Sequence, residues 1–330
     1  MTSHSPPATR GRIDVVAAVL QRTDASFLLA QRPADKIYAG YWEFPGGKVE
    51  PGESAASALE RELHEELGIE VKRAYPWITR DYDYDHAAVR LKFYRVTEWS
   101  GELHGRENQR FEWQRISEIT VSPLLPANGP ILRALALPPV YGISNATQIG
   151  AEVFLARLES ALAGGLKLIQ IREKSWSEDA LVDLAKRAAA RAHEYGASVL
   201  LNGSASLAGR AGADGVHLTA SQLMQTRARP DCERVGASCH DAHELAHAAA
   251  IGVDFVVVGP VAETASHPGA PALGWTRLRE LIAAYPVPVY AIGGLREEDL
   301  GAAWAAGAHG IAAIRGAWLP RLPFGSHLGG

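Results

Sequence analysis

The sequence predicts an α/β protein of two domains, an N-terminal α/β/α sandwich with a mixed sheet and a C-terminal (β/α)8 TIM barrel. Three observations carry this expectation. The chain has 330 residues, and a single hydrophobic core stops growing at about 250–300. Pro138 and Pro139 mark a change of rhythm. Before them, strands of unequal length flank one strongly patterned helix. After them, short apolar runs alternate with helical segments at even intervals, the pattern of a parallel barrel. The expected division is a disordered start at 1–12, a first domain at 13–137, the barrel at 138–320 and a tail at 321–330.

In chain order, residues 13–21 form an apolar run long enough for a buried strand. After the turn at 22–25, residues 26–31 return as a second strand, and the two read as a hairpin. A loop rich in Tyr and Gly at 36–42 leads to a short strand ending in Gly46 and Gly47. Ser54 is a good N-cap for a helix that runs to Leu67 and stops at Gly68. Residues 71–81 and 87–97 read as paired strands about a turn at 82–86, followed by a loop at 98–110, a strand at 111–116 and a short closing helix at 130–137. The barrel strands are expected at 140–143, 168–172, 199–202, 215–217, 235–238, 255–259, 289–292 and 310–314. Repeated helix-to-strand turns echo one another at 212–216, 252–256 and 307–311.

Charge excludes one class of partner. Residues 1–137 hold 17 Lys/Arg and 19 Asp/Glu, and residues 138–330 hold 16 and 18, so each half nets −2. Neither is a basic nucleic-acid-binding module. Two cysteines, Cys232 and Cys239, are too few for a disulfide framework. No run of about 18 apolar residues occurs, and the start has no apolar signal core. The expectation is a soluble cytoplasmic protein without membrane or nucleic-acid contact, its oligomeric state left open.

The helix after Ser54 carries the chemistry. Glu62, Glu65 and Glu66 stand at i, i+3 and i+4, on one helical face. Three like charges there repel unless something positive gathers them, and a hard divalent cation bound through oxygen is the natural candidate. A merely solvated acidic face would not explain the glycines, Glu53 and Arg61 set around it. These positions, Gly47, Glu53, Arg61, Glu62, Leu63, Glu65, Glu66, Gly68 and Ile69, match a Nudix box throughout, and the domain is identified by resemblance as a Nudix hydrolase. The resemblance implies hydrolysis of a nucleoside diphosphate linked to another group, with Mg2+ or Mn2+. It implies Glu62, Glu65, Glu66 and the Gly46 carbonyl as metal ligands, and Glu53–Arg61 as an ion pair holding the loop. The general base would be Glu62 or Glu107.

Within that family, residues 13–137 look like the MutT type, which hydrolyses oxidised purine nucleoside triphosphates. Residues 41–48 match the lead into the box, with Phe44 as an implied substrate contact. Residues 105–109 match a loop that supplies a late metal-binding Glu, here Glu107. Residues 126–130 match a segment whose Asn, here Asn128, reads the oxidised base, an amide offering both donor and acceptor. Arg32 sits where an Arg contacts the nucleotide. Hydrolysis of 8-oxo-dGTP to 8-oxo-dGMP and pyrophosphate is the implied reaction, with ADP-ribose, dinucleotides or NADH as rival substrates.

Residues 140–318 resemble thiamine-phosphate synthase through Gln170, Arg172 and Lys174, the run Gly212 to Leu218 with His217, Gly236 to His240, Val258 to Val261, and Gly293 with Gly294. The resemblance implies a ligand site at the strand ends formed by Gln170, Arg172, Lys174, Asn202, His217, Gly293 and Gly294. Departures stand beside it. The family places Asn-Asp-Arg after the third strand, where this chain has Asn202, Gly203 and Ser204. A second Asp expected beyond His217-Leu218 is absent from Thr219 to Gln222. The phosphate loop reads Ala262 to Pro268 and has no Lys. A barrel that binds a phosphate or a thiamine-related ligand without synthase chemistry is therefore expected, against the alternatives of a working synthase or a scaffold. His217, His240, His267 and Cys239 fit no zinc spacing.

Overall fold

The computed structural model describes residues 11–105, 109–263 and 272–318. The chain divides into two compact units, Met1–Ile131 and Leu132–Gly330. The elements of the first unit are β1 (Ile13–Leu20), β2 (Phe27–Gln31), β3 (Trp42–Glu43), α1 (Ala55–Leu67), β4 (Glu70–Asp83), β5 (Ala88–Ser100), β6 (Phe111–Gln114) and the start of α2 (Gly129–Leu135). They form two three-stranded sheets, β1-β5-β4 and β3-β2-β6. β1 runs parallel to β5 and β4 antiparallel to it, which makes that sheet mixed.

The expected hairpin of the first two strands is corrected. β1 pairs with β5, β2 pairs with β3 and β6, and a single bridge, Gln21 to Phe27, joins the first two strands. β1 ends its sheet yet is buried from Val16 to Leu20, because α1 packs on it and the Gly47 and Pro45 carbonyls take the Val16 and Ala18 amides along its outer edge. The loop expected from residue 98 starts later, because β5 continues to Ser100.

α1 follows from its sequence at both ends. The Ser54 hydroxyl accepts from the Ser57 amide, and Gly68 takes the left-handed conformation, φ 71°, that ends the helix. Ala58, Leu59, Leu63 and Leu67 are buried against Val16, Ala18, Leu20 and Leu28. Burying each Leu contributes roughly 1.5–3 kcal/mol. That anchoring fixes which way the opposite, acidic face points.

In the second unit β7 (Val140–Ile143), α3 (Ala146–Ile149), α4 (Ala151–Ala163), β8 (Leu168–Ile171), α5 (Glu178–Glu194), β9 (Ser198–Asn202), α6 (Ala205–Ala211) and β10 (Gly215–Leu218) come first. They are followed by α7 (Ala220–Gln225), β11 (Arg234–Cys239), α8 (Ala242–Ile251), β12 (Phe255–Val258), α9 (Gly274–Ile282), β13 (Val289–Ile292), α10 (Leu300–Ala305) and β14 (Gly310–Ala313). The eight strands close into a parallel barrel. Side chains alternate along each strand. Leu168, Phe255, Val257, Tyr290 and Ala312 fill the interior, while Ile169, Val256, Val258, Ala291 and Ile311 pack outward into the helix layer. Tyr141, Phe255 and Tyr290 meet inside with ring centroids 5.1–5.6 Å apart. Among the described residues no helix is long and apolar enough to cross a membrane.

Closure depends on a bare backbone. A Cβ at Gly310 would collide with the Pro139 carbonyl, which accepts from the Ile311 amide at 2.9 Å. Gly310→Ala should therefore lower the unfolding free energy of the barrel by about 1–3 kcal/mol. Gly301→Ala, inside α10 with nothing within 4 Å of the added carbon, should raise it by up to about 1 kcal/mol. Urea unfolding followed by far-UV circular dichroism checks both signs, and an unmoved midpoint for Gly310→Ala would disprove the close approach.

Candidate active site and barrel cavity

In the first unit the loop before α1 is stitched to β1. Val16 and Ala18 amides donate to the Gly47 and Pro45 carbonyls at 2.9 and 2.7 Å. The fit leaves no space for side chains. At Gly46, φ 146°, a Cβ would strike the Val16 carbonyl, and at Gly47 it would strike the Glu62 carboxylate. The Gly46 amide donates to Glu66 Oε2 at 3.1 Å. Two glycines thus let backbone and two α1 carboxylates share one wall.

Arg61 fastens the same loop. Its Nε and Nη2 donate to the two Glu53 carboxylate oxygens at 3.1 and 3.0 Å, and Nη2 also donates to the Lys48 carbonyl at 3.0 Å. Nη1 donates to Glu62 at 2.9 Å and Glu65 at 3.2 Å. The hydrogen bonds from Arg61, then the Glu50 amide, hold the Glu53 carboxyl below the usual range. The same bonds to Glu53 and Glu62 push the guanidinium up.

A cavity of about 620 Å³ opens on this wall. Gly46, Gly47, Glu62 and Glu66 line it, and so do the cations Arg32, Lys36 and Lys48. Glu65 does not line it; its side chain is 56% exposed and lies beside Arg61. The shared face expected for three carboxylates therefore delivers two to the cavity, because i+3 and i+4 differ in azimuth and Arg61 draws Glu65 sideways. Among the described residues no group of three or more His, Cys, Asp or Glu is arranged around a metal position. The donor set still fits a hard divalent cation, since Glu62, Glu66 and the Gly46 backbone offer oxygen only and the bare Gly47 leaves the approach to Glu62 open. Glu107 lies outside the described residues.

Of the expected nucleotide contacts, Arg32 lines the cavity. It pairs with Glu43, and its Nε donates to the Ile37 carbonyl at 2.7 Å. Burial outweighs this partner and raises the Glu43 carboxyl. Phe44 and Asn128 do not line the cavity. Phe44 is 3% exposed and packs against Phe27 and Phe93. Asn128 is 5% exposed, and its amide donates to the Trp42 carbonyl at 3.2 Å. Tyr38, Tyr84 and His86 line the cavity without having been expected there. Alternation of aromatic and acidic residues from Tyr82 to His86 was the sequence signal for two of them, and the Tyr-rich loop at 36–42 for Tyr38.

In the second unit a cavity of about 720 Å³ lies at the carboxyl ends of the strands. Gln170, Arg172, Lys174, His217, Gly293 and Gly294 line it as expected, joined by Ser238, His240, Arg296 and Arg315. Asn202 does not; its amide donates to the His217 carbonyl at 2.9 Å. Four cations and, among the described residues, no carboxylate face this cavity. Gln170 is 1% exposed and its Nε2 has no hydrogen-bond partner in the protein. His217 is held between Tyr141 and Ser238, its Nδ1 3.3 Å from the phenol and its Nε2 3.0 Å from the hydroxyl.

Side chains at the departures from the synthase pattern serve the fold. Ser204 accepts from the Leu207 amide as the cap of α6, and Thr219 and Gln222 form a reciprocal capping box on α7. Cys239 is buried and its thiol is pushed up to about 12 by burial, so it is not a reactive group. His267 and residues 264–268 of the expected phosphate loop lie outside the described residues.

Comparison with known proteins gives two matches. Residues 16–134 match the model of the NUDIX domain, and residues 140–317 match that of thiamine monophosphate synthase. A CTP pyrophosphohydrolase of Escherichia coli is 43% identical over 122 residues, which is 37% of this chain and 90% of that protein. An 8-oxo-dGTP diphosphatase of Escherichia coli is 31% identical over 124 residues, 38% of this chain and 96% of that protein. A thiamine-phosphate synthase of Thermus thermophilus is 39% identical over 166 residues, 50% of this chain and 81% of that protein.

His217 makes the barrel acid-sensitive. Burial, then the charge of Arg172, lowers its pKa from 6.5 to about 3. Between those values the unfolded chain binds a proton that the folded barrel refuses, so stability falls as pH drops from 6.5 towards 3 and is level above 6.5. Thermal unfolding across that range should show the fall, and His217→Gln should flatten the part due to this residue. An unchanged slope in the variant would show that the imidazole titrates freely in the fold.

Proposed function

From a chain that belongs to the Nudix family through its N-terminal domain and to the thiamine monophosphate synthase family through its barrel, we propose a divalent-cation-dependent pyrophosphohydrolase that converts 8-oxo-dGTP to 8-oxo-dGMP and pyrophosphate. The carrying observation is the wall on which Gly46 and Gly47 press against Glu62 and Glu66, facing a cavity that also holds Arg32, Lys36 and Lys48. A polyphosphate cannot rest beside paired carboxylates unless cations intervene. Glu62, Glu66 and the Gly46 carbonyl would hold Mg2+ or Mn2+, with Glu107 as a late ligand and Glu65 joining only if it leaves Arg61. The ion supplies charge neutralisation and polarises phosphorus–oxygen bonds.

The chain's own groups do the rest. Lys48 and Lys36 meet phosphate charge that the carboxylates would repel. Arg61 keeps Glu62 and the loop in register. Glu62 or Glu107 takes the proton of the attacking water, the bridging phosphorus–oxygen bond between the α- and β-phosphates breaks, and nucleoside monophosphate and pyrophosphate part with the water's oxygen on the phosphorus attacked. Leu125 reaches the cavity, and Asn128, three residues on, would read the oxidised base edge only after releasing the Trp42 carbonyl.

Steady-state kinetics with Mg2+ test this reading. kcat/KM should be higher for 8-oxo-dGTP than for dGTP, CTP or ADP-ribose, and Glu66→Gln should cut it by about a hundredfold or more. Equal rates on 8-oxo-dGTP and dGTP, or preference for CTP or ADP-ribose, would overturn the substrate.

The barrel, in the same proposal, binds a phosphorylated or thiamine-related ligand and performs no synthase chemistry. Arg172, Lys174, Arg296 and Arg315 supply positive charge at the strand ends, and Gln170 offers an unpartnered buried amide. One expected metal carboxylate is replaced by Gly203, next to the α6 cap Ser204, and the other is missing from the Thr219–Gln222 segment that caps α7. Without them a departing pyrophosphate lacks its neutralising ion. The full-length chain should fail to restore thiamine-independent growth to a synthase-deficient bacterium, yet should bind thiamine phosphate in isothermal titration. Growth without thiamine would refute the loss of chemistry.

A further inference from the structure

The four cations that line the barrel cavity stand without partners. Arg172 and Lys174 follow β8, Arg296 follows β13 and Arg315 follows β14. Among the described residues none of the four is in an ion pair. Arg187, Arg191, Arg210, Arg229 and Arg277 of the same domain each meet a carboxylate. One solvated cation needs no explanation, but four drawn from three strand ends to one cavity repel one another. Beside them Gln170 is 1% exposed, and its Nε2 has no partner in the protein. A buried donor left unpaired costs about 1–3 kcal/mol, and the oxygen of an anion would satisfy it.

The acids close to these cations in the sequence are engaged elsewhere. Glu173, between Arg172 and Lys174, is 6% exposed. Its carboxylate accepts from the Ser144 and Thr147 hydroxyls at 2.5 and 2.6 Å and from the Ala146 and Thr147 amides at 2.7 and 2.8 Å. Glu244 accepts from the His240 amide at 2.6 Å and lies 3.0 Å from the Nδ1 of the same residue. Asp299 accepts from the Arg296 amide at 2.8 Å. Glu263 is exposed and does not line the cavity. Residues 264–271, outside the described residues, contain no Asp or Glu. A divalent ion entering this cavity therefore meets positive charge and no described carboxylate.

Mg2+ is held in proteins through carboxylate and phosphate oxygens, and four positive side chains repel it. A single phosphate carries only about −1.5 to −2 at neutral pH, which four cations exceed, so a diphosphate group suits the cavity better. We propose that the barrel takes a diphosphate group in its metal-free form and that Mg2+ competes with the barrel for it. The proposal rests on the barrel-binding reading and adds the ionic form of the ligand. A diphosphate wrapped around Mg2+ has given up much of the charge that Arg172, Lys174, Arg296 and Arg315 would meet. An ion that binds the free ligand and not the complex must weaken binding, because the coupling is reciprocal. Inorganic pyrophosphate and an organic diphosphate share this chemistry.

Isothermal titration of the full chain separates the outcomes. Glu62→Gln and Glu66→Gln together remove metal-dependent binding at the N-terminal cavity, so that the barrel is read alone. Inorganic pyrophosphate and thiamine diphosphate are titrated at constant ionic strength, first with EDTA and then with excess Mg2+. Pyrophosphate or thiamine diphosphate should bind in EDTA, the tighter of the two naming the source of the group. Excess Mg2+ should weaken that binding by about tenfold. On the same background, Arg172→Gln and Arg315→Gln should each weaken binding in EDTA by about tenfold, with an unchanged far-UV spectrum. Binding that requires Mg2+, is tightened by it or ignores it would overturn the metal-free mode alone. Full affinity in both arginine variants would place the anion outside this cavity and overturn it too. No binding of either probe in any condition would overturn the barrel-binding reading itself.

Discussion

The guanidinium of Arg61 is the constraint on which the N-terminal site depends. It bonds both oxygens of Glu53, the Lys48 carbonyl, Glu62 and Glu65 at once. The geometry needs a planar fork with several fixed donors, which a lysine point charge does not provide. Without it, Glu62 and Glu65 would lose the hydrogen-bonded counter-charge that offsets their repulsion. The loop would also lose its tie to the helix, and with it the close approach of Gly47 to Glu62. Helix stability, loop position and carboxylate placement are therefore one electrostatic problem with one solution.

The two cavities would receive a polyanion in opposite settings. The first places Glu62 and Glu66 beside Arg32, Lys36 and Lys48, where the proposed metal ion would offset the carboxylates. The barrel places Arg172, Lys174, Arg296 and Arg315 around its cavity with no acid among the described lining. Burial lowers the Arg172 pKa, with Glu173 opposing, so an anion placed there gains from relieving an uncomfortable charge. Glu173 itself is turned away to bind the Ser144 hydroxyl and the amides of Ala146 and Thr147, at 2.5, 2.7 and 2.8 Å.

Features set by local chemistry were legible in the sequence. Both caps of α1 fall where Ser54 and Gly68 predicted, and all eight barrel strands fall within two residues of their expected ends. Features set by distant partners were not. The apolar run at 13–20 looks the same whether it pairs with its neighbour β2 or with β5, seventy-odd residues away, and it does the latter. Helical spacing put Glu65 with Glu62 and Glu66 but could not register the pull of Arg61. Phe44 and Asn128 were expected at the nucleotide, yet burial and the Trp42 carbonyl occupy them. Tyr38 and Tyr84 were hidden for the same reason, because their rings, 5.6 Å apart, are brought together only by the fold.

The junctions between strand and helix show a competition between fold and chemistry. In the barrel, Ser204 and the Thr219–Gln222 box satisfy helix amides that would otherwise be orphaned. Such caps are worth about 0.5–2 kcal/mol each, a gain in stability at segments from which the expected metal carboxylates are missing. The N-terminal domain accepts the opposite balance. It keeps a crowded glycine loop at φ 146°, a left-handed Tyr38 at φ 61° and three acids on one helix. Strain and like-charge repulsion persist only where the surroundings over-determine them, and here a fork of hydrogen bonds and a buried leucine face do so. That asymmetry supports the proposed division, in which polyphosphate chemistry belongs to α1 and ligand binding to the barrel.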